Sequence, residues 1–216
     1  MTTGTEEYYR ERALEYDRVY LKPERQGDLH LMREWLAQLL AGRRVIEVAA
    51  GTGYWTDAIA GSALTVLATD VNVETLQVAE NRRTWPESVK FVEADAFSLD
   101  SVNGNFDAAL AGFFWSHIPI PGLDEFVDGL FHRIEPGAQV VLLDNRYGDD
   151  NSHPVTRTDD DGNTYQTRSL EGGRSYEVLK NFPTVEFLRT KLEPFATDIS
   201  MMEWEFYWAV TCTVSL

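Results

Sequence analysis

The feature that most constrains this chain is a series of short, continuously apolar runs separated by stretches of helical periodicity. RRVIEVA (43–49), ALTVLATDV (63–71), VKFVEAD (89–95), FDAALAGFF (106–114) and AQVVLLDN (138–145) read as strands, and 53–61, 72–84 and 119–134 read as the helices between them. Strands that are apolar throughout are covered on both faces, as in a parallel sheet held between helical layers. Right-handed crossovers then give a doubly wound α/β sheet.

Two helical stretches precede the first strand. Residues 5–22 set Tyr9, Ala13, Tyr16 and Tyr20 at helical spacing, and after Pro23 a second helix is expected over 24–40, so that 1–41 form a helical cap. After the fifth strand the alternation breaks. Between 148 and 180 the turn signals Asp161-Gly162 and Glu171-Gly172-Gly173 separate three β-prone runs, which predicts a small antiparallel insertion. A helix over 184–192 and β-prone runs at 196–203 and 205–215 close the chain as a hairpin on the sheet edge. A length of 216 residues suits one sizeable core, and a single domain over 1–216 is expected.

The formal charge of −16 disfavours nucleic-acid partners, whose binding rests on neutralising phosphates. The lone Cys212 has no disulfide partner within the chain, and no Cys/His cluster has metal-ligand spacing, so no metal is expected. Asp159-Asp160-Asp161 reads as a solvated turn. No apolar run approaches the roughly 18 residues of a membrane span, and the polar N-terminus has no apolar core segment. A cytoplasmic monomer or homodimer without membrane attachment is the expectation.

Ligands of such sheets bind beyond the carboxyl ends of the strands. The first strand runs into VIEVAAGTGYWT, where Gly51 and Gly53 allow close backbone approach and Glu47 sits four residues before the first glycine. A dinucleotide site would carry a small residue at position 56, which is Thr56 here, and would need no carboxylate within the strand. Glu47 suits an ammonium or sulfonium charge. The second strand ends at Asp70 beside Val71, nineteen residues after Gly51, with a carboxylate able to accept from a ribose diol. The third ends EADAF, where Asp95, Ala96 and Phe97 suit an adenine amino group and ring.

This order (VIEVAAGTG, LATDV, VEADAF, FDAALA and a closing hairpin) resembles the class I S-adenosylmethionine-dependent methyltransferases over about 24–147 and 184–216, with the flavour of the small-molecule enzymes of quinone biosynthesis and natural-product tailoring. The resemblance implies a seven-stranded Rossmann-like sheet with its last strand antiparallel. It also implies S-adenosyl-L-methionine as cofactor, with Glu47 and the glycine turn near the methionine part, Asp70 on the ribose, and Asp95 with Ala96 on the adenine. Ala49 departs from the glycine most common there. By analogy Tyr16, Tyr20 and Arg25 contact the methionine end, and packing of the tyrosines on the sheet is the alternative.

The acceptor side is less determined. The fourth strand ends GFFWSHIP, which lacks the Asn/Asp-Pro-Pro-aromatic motif of amide and base N-methyltransferases and the Pro-Cys nucleophile of cytosine enzymes. Asp144-Asn145 is half of a catechol-type metal set, but 112–118 adds only His117. His117 reads either as a general base or as a residue that shapes the pocket. Trp115, Asp144, Arg146 and Tyr147 at strand ends, with His153, Tyr165, Arg168, Tyr176 and Glu177 of the insertion, are candidates for an aromatic-walled pocket holding a small organic acceptor. The reading is methyl transfer to an O, N or C atom. A nicotinamide-dependent oxidoreductase and a non-catalytic S-adenosylmethionine-binding protein are the alternatives.

Overall fold

In the computed structural model the described residues are 3–99, 102–148, 152–170 and 173–215, the side chains of 3, 4, 6, 7, 10 and 13–16 excepted. The five apolar runs form the parallel strands β1 (Arg44–Val48), β2 (Thr65–Asp70), β3 (Val89–Glu93), β4 (Ala108–Gly112) and β5 (Gln139–Asn145). The chain first builds β1 to β3 outward on one side, then crosses back to lay β4 and β5 on the other. Two further strands, β9 (Ala196–Glu203) and β10 (Tyr207–Val214), complete a seven-stranded sheet in the order β3-β2-β1-β4-β5-β10-β9. The last strand, β10, runs antiparallel to β5 and to β9.

Residues of period two along each strand feed two separate cores. Ile46, Val48, Val140 and Leu142 pack with Phe126, Val127, Leu130 and Phe131 of α5 (Leu123–Arg133) and with Leu188 and Leu192 of α6 (Val185–Leu192). Val45, Val141 and Leu143 pack on the opposite face with Leu29, Met32 and Leu36 of α2 (Gln26–Leu39) and with Trp55 and Ile59 of α3 (Tyr54–Ile59). The remaining crossover helix is α4 (Val73–Asn81). Each fully buried large apolar side chain contributes about 1.5–3 kcal/mol, so the sheet is anchored on both faces.

The first helix differs from expectation. Residues 5–22 do not form one α-helix: α1 spans Thr3–Arg12 and gives way to a 3₁₀ stretch over Ala13–Leu21. Asp17 in that stretch accepts a 2.6 Å hydrogen bond from Thr52 and pairs with Arg82, so its contacts with the glycine turn and α4 override the local α periodicity. The insertion has the expected antiparallel form, as a second sheet of β6 (Arg157–Thr158), β7 (Thr164–Ser169) and β8 (Ser175–Leu179). Helix α1 lies on β8, tied by the Leu179 amide to Thr5 Oγ1 (3.2 Å) and by Arg174 and Tyr176 to Glu11. The two elements form a roof over the carboxyl ends of the strands. No described helix is long and apolar enough to cross a membrane.

Candidate active site

The β1-to-α3 turn is built from left-handed backbone. Ala49, Gly51 and Gly53 have φ of +52°, +57° and +76°, and Gly53 caps α3. Glycine reaches this region without a Cβ penalty, whereas alanine carries one. The turn is pinned across the sheet by Asp70, whose carboxylate accepts from the Gly51 amide (2.9 Å) and the Asn72 amide (2.8 Å). Asp70 is almost fully buried, and that burial raises its proton affinity against the hydrogen bonds that lower it.

A groove of about 560 Å³ opens over this turn, bordered by Ala49, Gly51, Trp55, Asp70, Gly112 and Phe113. A second arm of about 390 Å³ shares Ala49, Asp70 and Phe114 with it and continues past Val71, Asp95, Ala96 and Phe97. Gly112 is forced by packing, since a Cβ there would lie 2.7 Å from Trp55 Cδ1. Three expected members of the groove lie behind its wall. Glu47 shares the inward face of Val45, is 1% exposed, and accepts a 2.6 Å hydrogen bond from the Thr56 hydroxyl, so both brace the turn from beneath. Burial, with a smaller contribution from Asp70, pushes the Glu47 carboxyl up to about 8. Gly53 is turned away from the groove towards Ala79 and Trp85.

Beyond Phe113 lies a larger chamber of about 850 Å³ under the roof, sharing Tyr9, Tyr20, Phe113 and His117 with the groove. His117 stands at this junction. Its Nδ1 lies 2.6 Å from the Leu179 carbonyl and its Nε2 lies 2.8 Å from the Tyr9 hydroxyl. A carbonyl only accepts, so Nδ1 carries the proton and Nε2 accepts from Tyr9. Burial and neighbouring Lys180 hold the imidazole down at about 3, against the opposing pull of Asp144, so it is neutral. Lys180 itself is buried in the chamber wall and donates to Asp144 (2.9 Å) and to Ser116 Oγ (2.6 Å). Asp144 is fully buried and also accepts from the Ser116 amide.

Of the residues expected on the cofactor side, Tyr20, Ala49, Gly51, Asp70, Val71, Asp95, Ala96 and Phe97 line the two arms. Arg25 does not: it borders the chamber and donates to Asn145 Oδ1. The Tyr16 side chain lies outside the described residues. On the acceptor side His117, with His153 and Arg168 of the insertion, lines the chamber directly. Trp115 is buried in the core against Phe126, and Asp144 sits behind Lys180. Arg146 turns outward to the Trp204 carbonyl and Glu203, and Tyr147 is 43% exposed and packs edge-on against Phe182. Tyr165 is held on the outer side by Asp159 and Arg157, whereas Tyr176 lies opposite Arg168 on the inner face and is engaged by Glu11 and Tyr8 of α1. Alternation explains Tyr165, because its neighbour Gln166 takes the chamber face. The chamber residues that sequence reasoning missed include Tyr9, Arg12, Lys22, Gln166, Phe182 and Lys180. Only Lys180 carried a signal, a cation closing the otherwise β-prone run SYEVLK. Among the described residues no group of three or more His, Cys, Asp or Glu side chains is arranged to hold a metal.

A glycine turn and paired acidic strand ends at the switch point of this sheet define a class I methyltransferase architecture. The methyltransferase domain family matches residues 45–137. These likenesses support a class I S-adenosylmethionine-dependent methyltransferase of small-molecule type, with S-adenosyl-L-methionine as cofactor. A demethylmenaquinone methyltransferase of Clavibacter sepedonicus is 35% identical over 107 residues, 49% of this chain and 42% of that protein. The match spans less than half the length of such curated relatives. Two solved structures of DhpI, one with SAH and one a SAM-HEP complex, are each 27% identical and cover 98% of this chain. They cover 96% and 99% of the DhpI chain, with TM-scores of 0.76 and 0.75.

Proposed function

We propose that this protein transfers the methyl group of S-adenosyl-L-methionine to an O, N or C atom of a small organic acceptor held in the chamber beneath the roof. The observation that carries the reading is the meeting of groove and chamber at Tyr9, Tyr20, Phe113 and His117. The groove residues fit the cofactor. Asp70 holds the ribose diol, Asp95 accepts from the adenine amino group, and Ala96, Phe97 and Phe114 frame the ring. The backbone from Ala49 to Gly51 lies against the methionine part, and the partner-free, buried Trp55 indole N–H beside it supplies a donor that no described residue satisfies. Glu47 and Thr56 act through the turn by keeping its shape. The bound cofactor supplies an electrophilic methyl group on a sulfonium centre.

The chain's remaining work is positioning and exclusion of water. Helix α1 and the insertion cover the acceptor, and the Phe113 ring narrows the passage. His117 is a poor proton acceptor, since its lone pair is engaged by Tyr9 and its surroundings disfavour a second charge. Its role is to orient the Tyr9 hydroxyl at the junction.

Isotope from a labelled S-methyl group should appear in a small-molecule fraction after incubation with a cell extract, and calorimetry should show one molecule of S-adenosylhomocysteine bound per chain. No detectable binding at millimolar product would sink the reading. Stabilisation by NAD instead would favour the oxidoreductase alternative, since only a true ligand raises the melting temperature by mass action. Binding without any transfer would favour the non-catalytic one.

A further inference from the structure

Strand β4 breaks its own alternation at its carboxyl end. Ala109 and Ala111 face the core built on α5, Ala108 and Leu110 face the core built on α2 and α3, and the next side chains should follow in turn. Position 112 takes its expected side, where it must be glycine because Trp55 fills the space of a Cβ. Phe113 then departs. Instead of returning to the α5 side it packs with the α2 and α3 core, on the same side as position 112, and Phe114 resumes on the α5 side. The departure is made by left-handed backbone, with φ of +59° at Phe113. For a bulky residue this conformation is an outlier, and such outliers persist where the surroundings hold them and cluster at functional sites. Here the Phe113 amide is held by the Leu143 carbonyl at 2.7 Å.

The strained residue carries its ring to the meeting point of groove and chamber, where it borders both. The ring lies nearly parallel to those of Tyr20 and Tyr207, with centroids 5.9 and 5.4 Å away and interplanar angles of 16° and 23°, and stands at 84° to Trp55 at 5.5 Å. Tyr20 and Trp55 border the groove beside it. Among the described residues no Asp or Glu lines the chamber, and the one that borders the near arm of the groove, Asp70, is engaged by the Gly51 and Asn72 amides. Glu47, which the strand motif offered for a sulfonium charge, lies beneath the turn on the Thr56 hydroxyl. A cation at the junction therefore meets aromatic rings, whose faces are electron-rich and attract it.

We propose that Phe113, with Tyr20 and Trp55, recognises the positive charge of the cofactor's sulfonium, so that the site favours the methyl donor over its own neutral product. This rests on the methyl-transfer reading above, which brings the reacting methyl group to the junction. In the transfer a lone pair of the acceptor atom bonds the methyl carbon, the methyl–sulfur bond breaks with its electron pair left on sulfur, and any proton displaced from the acceptor atom departs to water. The product is a neutral thioether, and the attraction to the rings ends with the charge. Donor and product share their adenosine and amino-acid contacts, so discrimination between them is a difference of affinities set at the sulfur. Phe113 is a specificity-determining residue in this sense, and its left-handed backbone is what places the ring there.

The test is calorimetry on the full chain with S-adenosylmethionine and with S-adenosylhomocysteine. The chains compared are wild type, Phe113→Leu, and three that carry mono-, di- or trifluorophenylalanine at position 113. Fluorine withdraws electron density from the ring face with little change of shape, so it weakens attraction to a cation and leaves packing in place. Affinity for S-adenosylmethionine should fall stepwise along the series, by at least about threefold for the trifluoro ring, while that for S-adenosylhomocysteine stays within about twofold. Phe113→Leu should lower the ratio of the two affinities by a similar factor, even where lost packing weakens both ligands. A ratio unchanged within about twofold in both the trifluoro chain and Phe113→Leu overturns the proposal and leaves Phe113 as a packing residue, with the methyl-transfer reading intact because both ligands still bind. Failure of both ligands to bind the wild-type chain sinks the methyltransferase reading, and the proposal falls with it.

Discussion

The groove over the glycine turn and the chamber beyond Phe113 touch, yet they are built in different ways. The groove is made mainly at the ends of adjacent parallel strands, with Tyr9, Tyr20 and His117 at its border with the chamber, and its charged groups are carboxylates. The chamber is assembled from residues as distant as Tyr8 and Tyr207, carried largely on α1, the 3₁₀ stretch and the insertion, and its charged groups are cations. A site on strand ends inherits its geometry from sheet register. A site on covering elements needs its own supports, and here the chief support is the buried Lys180–Asp144 pair bridging the insertion to β5. The groove therefore tolerates changes in the roof, whereas the chamber does not tolerate loss of this pair.

The largest expected effect tests that support. Asp144→Leu leaves Lys180 buried without its counter-charge, and breaking a buried pair from one side costs about 3–5 kcal/mol. For a chain of this size that is a fall in melting temperature on the order of 10 °C. Lys180→Met combined with Asp144→Leu should recover most of it. A single variant melting within 2 °C of wild type would mean that the pair does not hold the roof to the sheet.

Next in size is the groove. Asp70 accepts two backbone N–H bonds that shape the turn, and hydrogen bonds to a charged group contribute about 1.5–3 kcal/mol each. Asp70→Ala should weaken S-adenosylhomocysteine by at least about 100-fold in calorimetry. Wild-type affinity in this variant would show that Asp70 neither shapes the turn nor holds the cofactor.

These two regions also differ in how readable they were. The strand boundaries, the antiparallel insertion and the closing hairpin follow from apolar runs and turn residues, and so do Asp70, Asp95 and Gly51, because the end of a strand is visible in sequence. Which face a side chain takes beyond that end is not. Arg146 and Tyr147 lie one and two residues past Asn145 and turn outward, Tyr165 falls on the outer side of the small sheet, and Tyr176, on its inner face, is taken up by Glu11 of α1. Arg12, Lys22 and Lys180 come together only through the docking of α1 on β8, a contact over more than 160 residues that no local pattern announces. The family motif located Glu47, but its position beneath the turn, with Thr56 as partner, depends on its sharing the inward face of Val45.

Glu47 gives a smaller, pH-dependent effect confined to the groove side. Its folded carboxyl titrates at about 8 against an ordinary 4.5. A raised folded value for an acid means stability present at low pH and lost as pH rises from the unfolded value through the folded one, by at most about 1.4 kcal/mol per pH unit. Glu47→Gln, which mimics the protonated acid, should therefore gain on wild type in melting temperature between pH 5.5 and 8. A constant difference across that range would show that Glu47 is already ionised in the folded protein below pH 5.5. Bound S-adenosylmethionine, with its positive charge near the turn, should flatten the wild-type dependence.

The smallest effect concerns Ala49. Its φ of +52° places an L-residue with a Cβ in the left-handed region, at about 1–2 kcal/mol. Glycine would remove that strain but adds unfolded-chain entropy of about 0.4–1 kcal/mol. The balance favours Ala49→Gly by about 0.5–1 kcal/mol, a rise of roughly 1–4 °C in melting temperature. The same change takes a methyl group from the floor shared by both arms of the groove, so S-adenosylhomocysteine affinity should hold or rise slightly. A variant less stable than wild type would mean that the Ala49 methyl group packs better than its backbone strain costs.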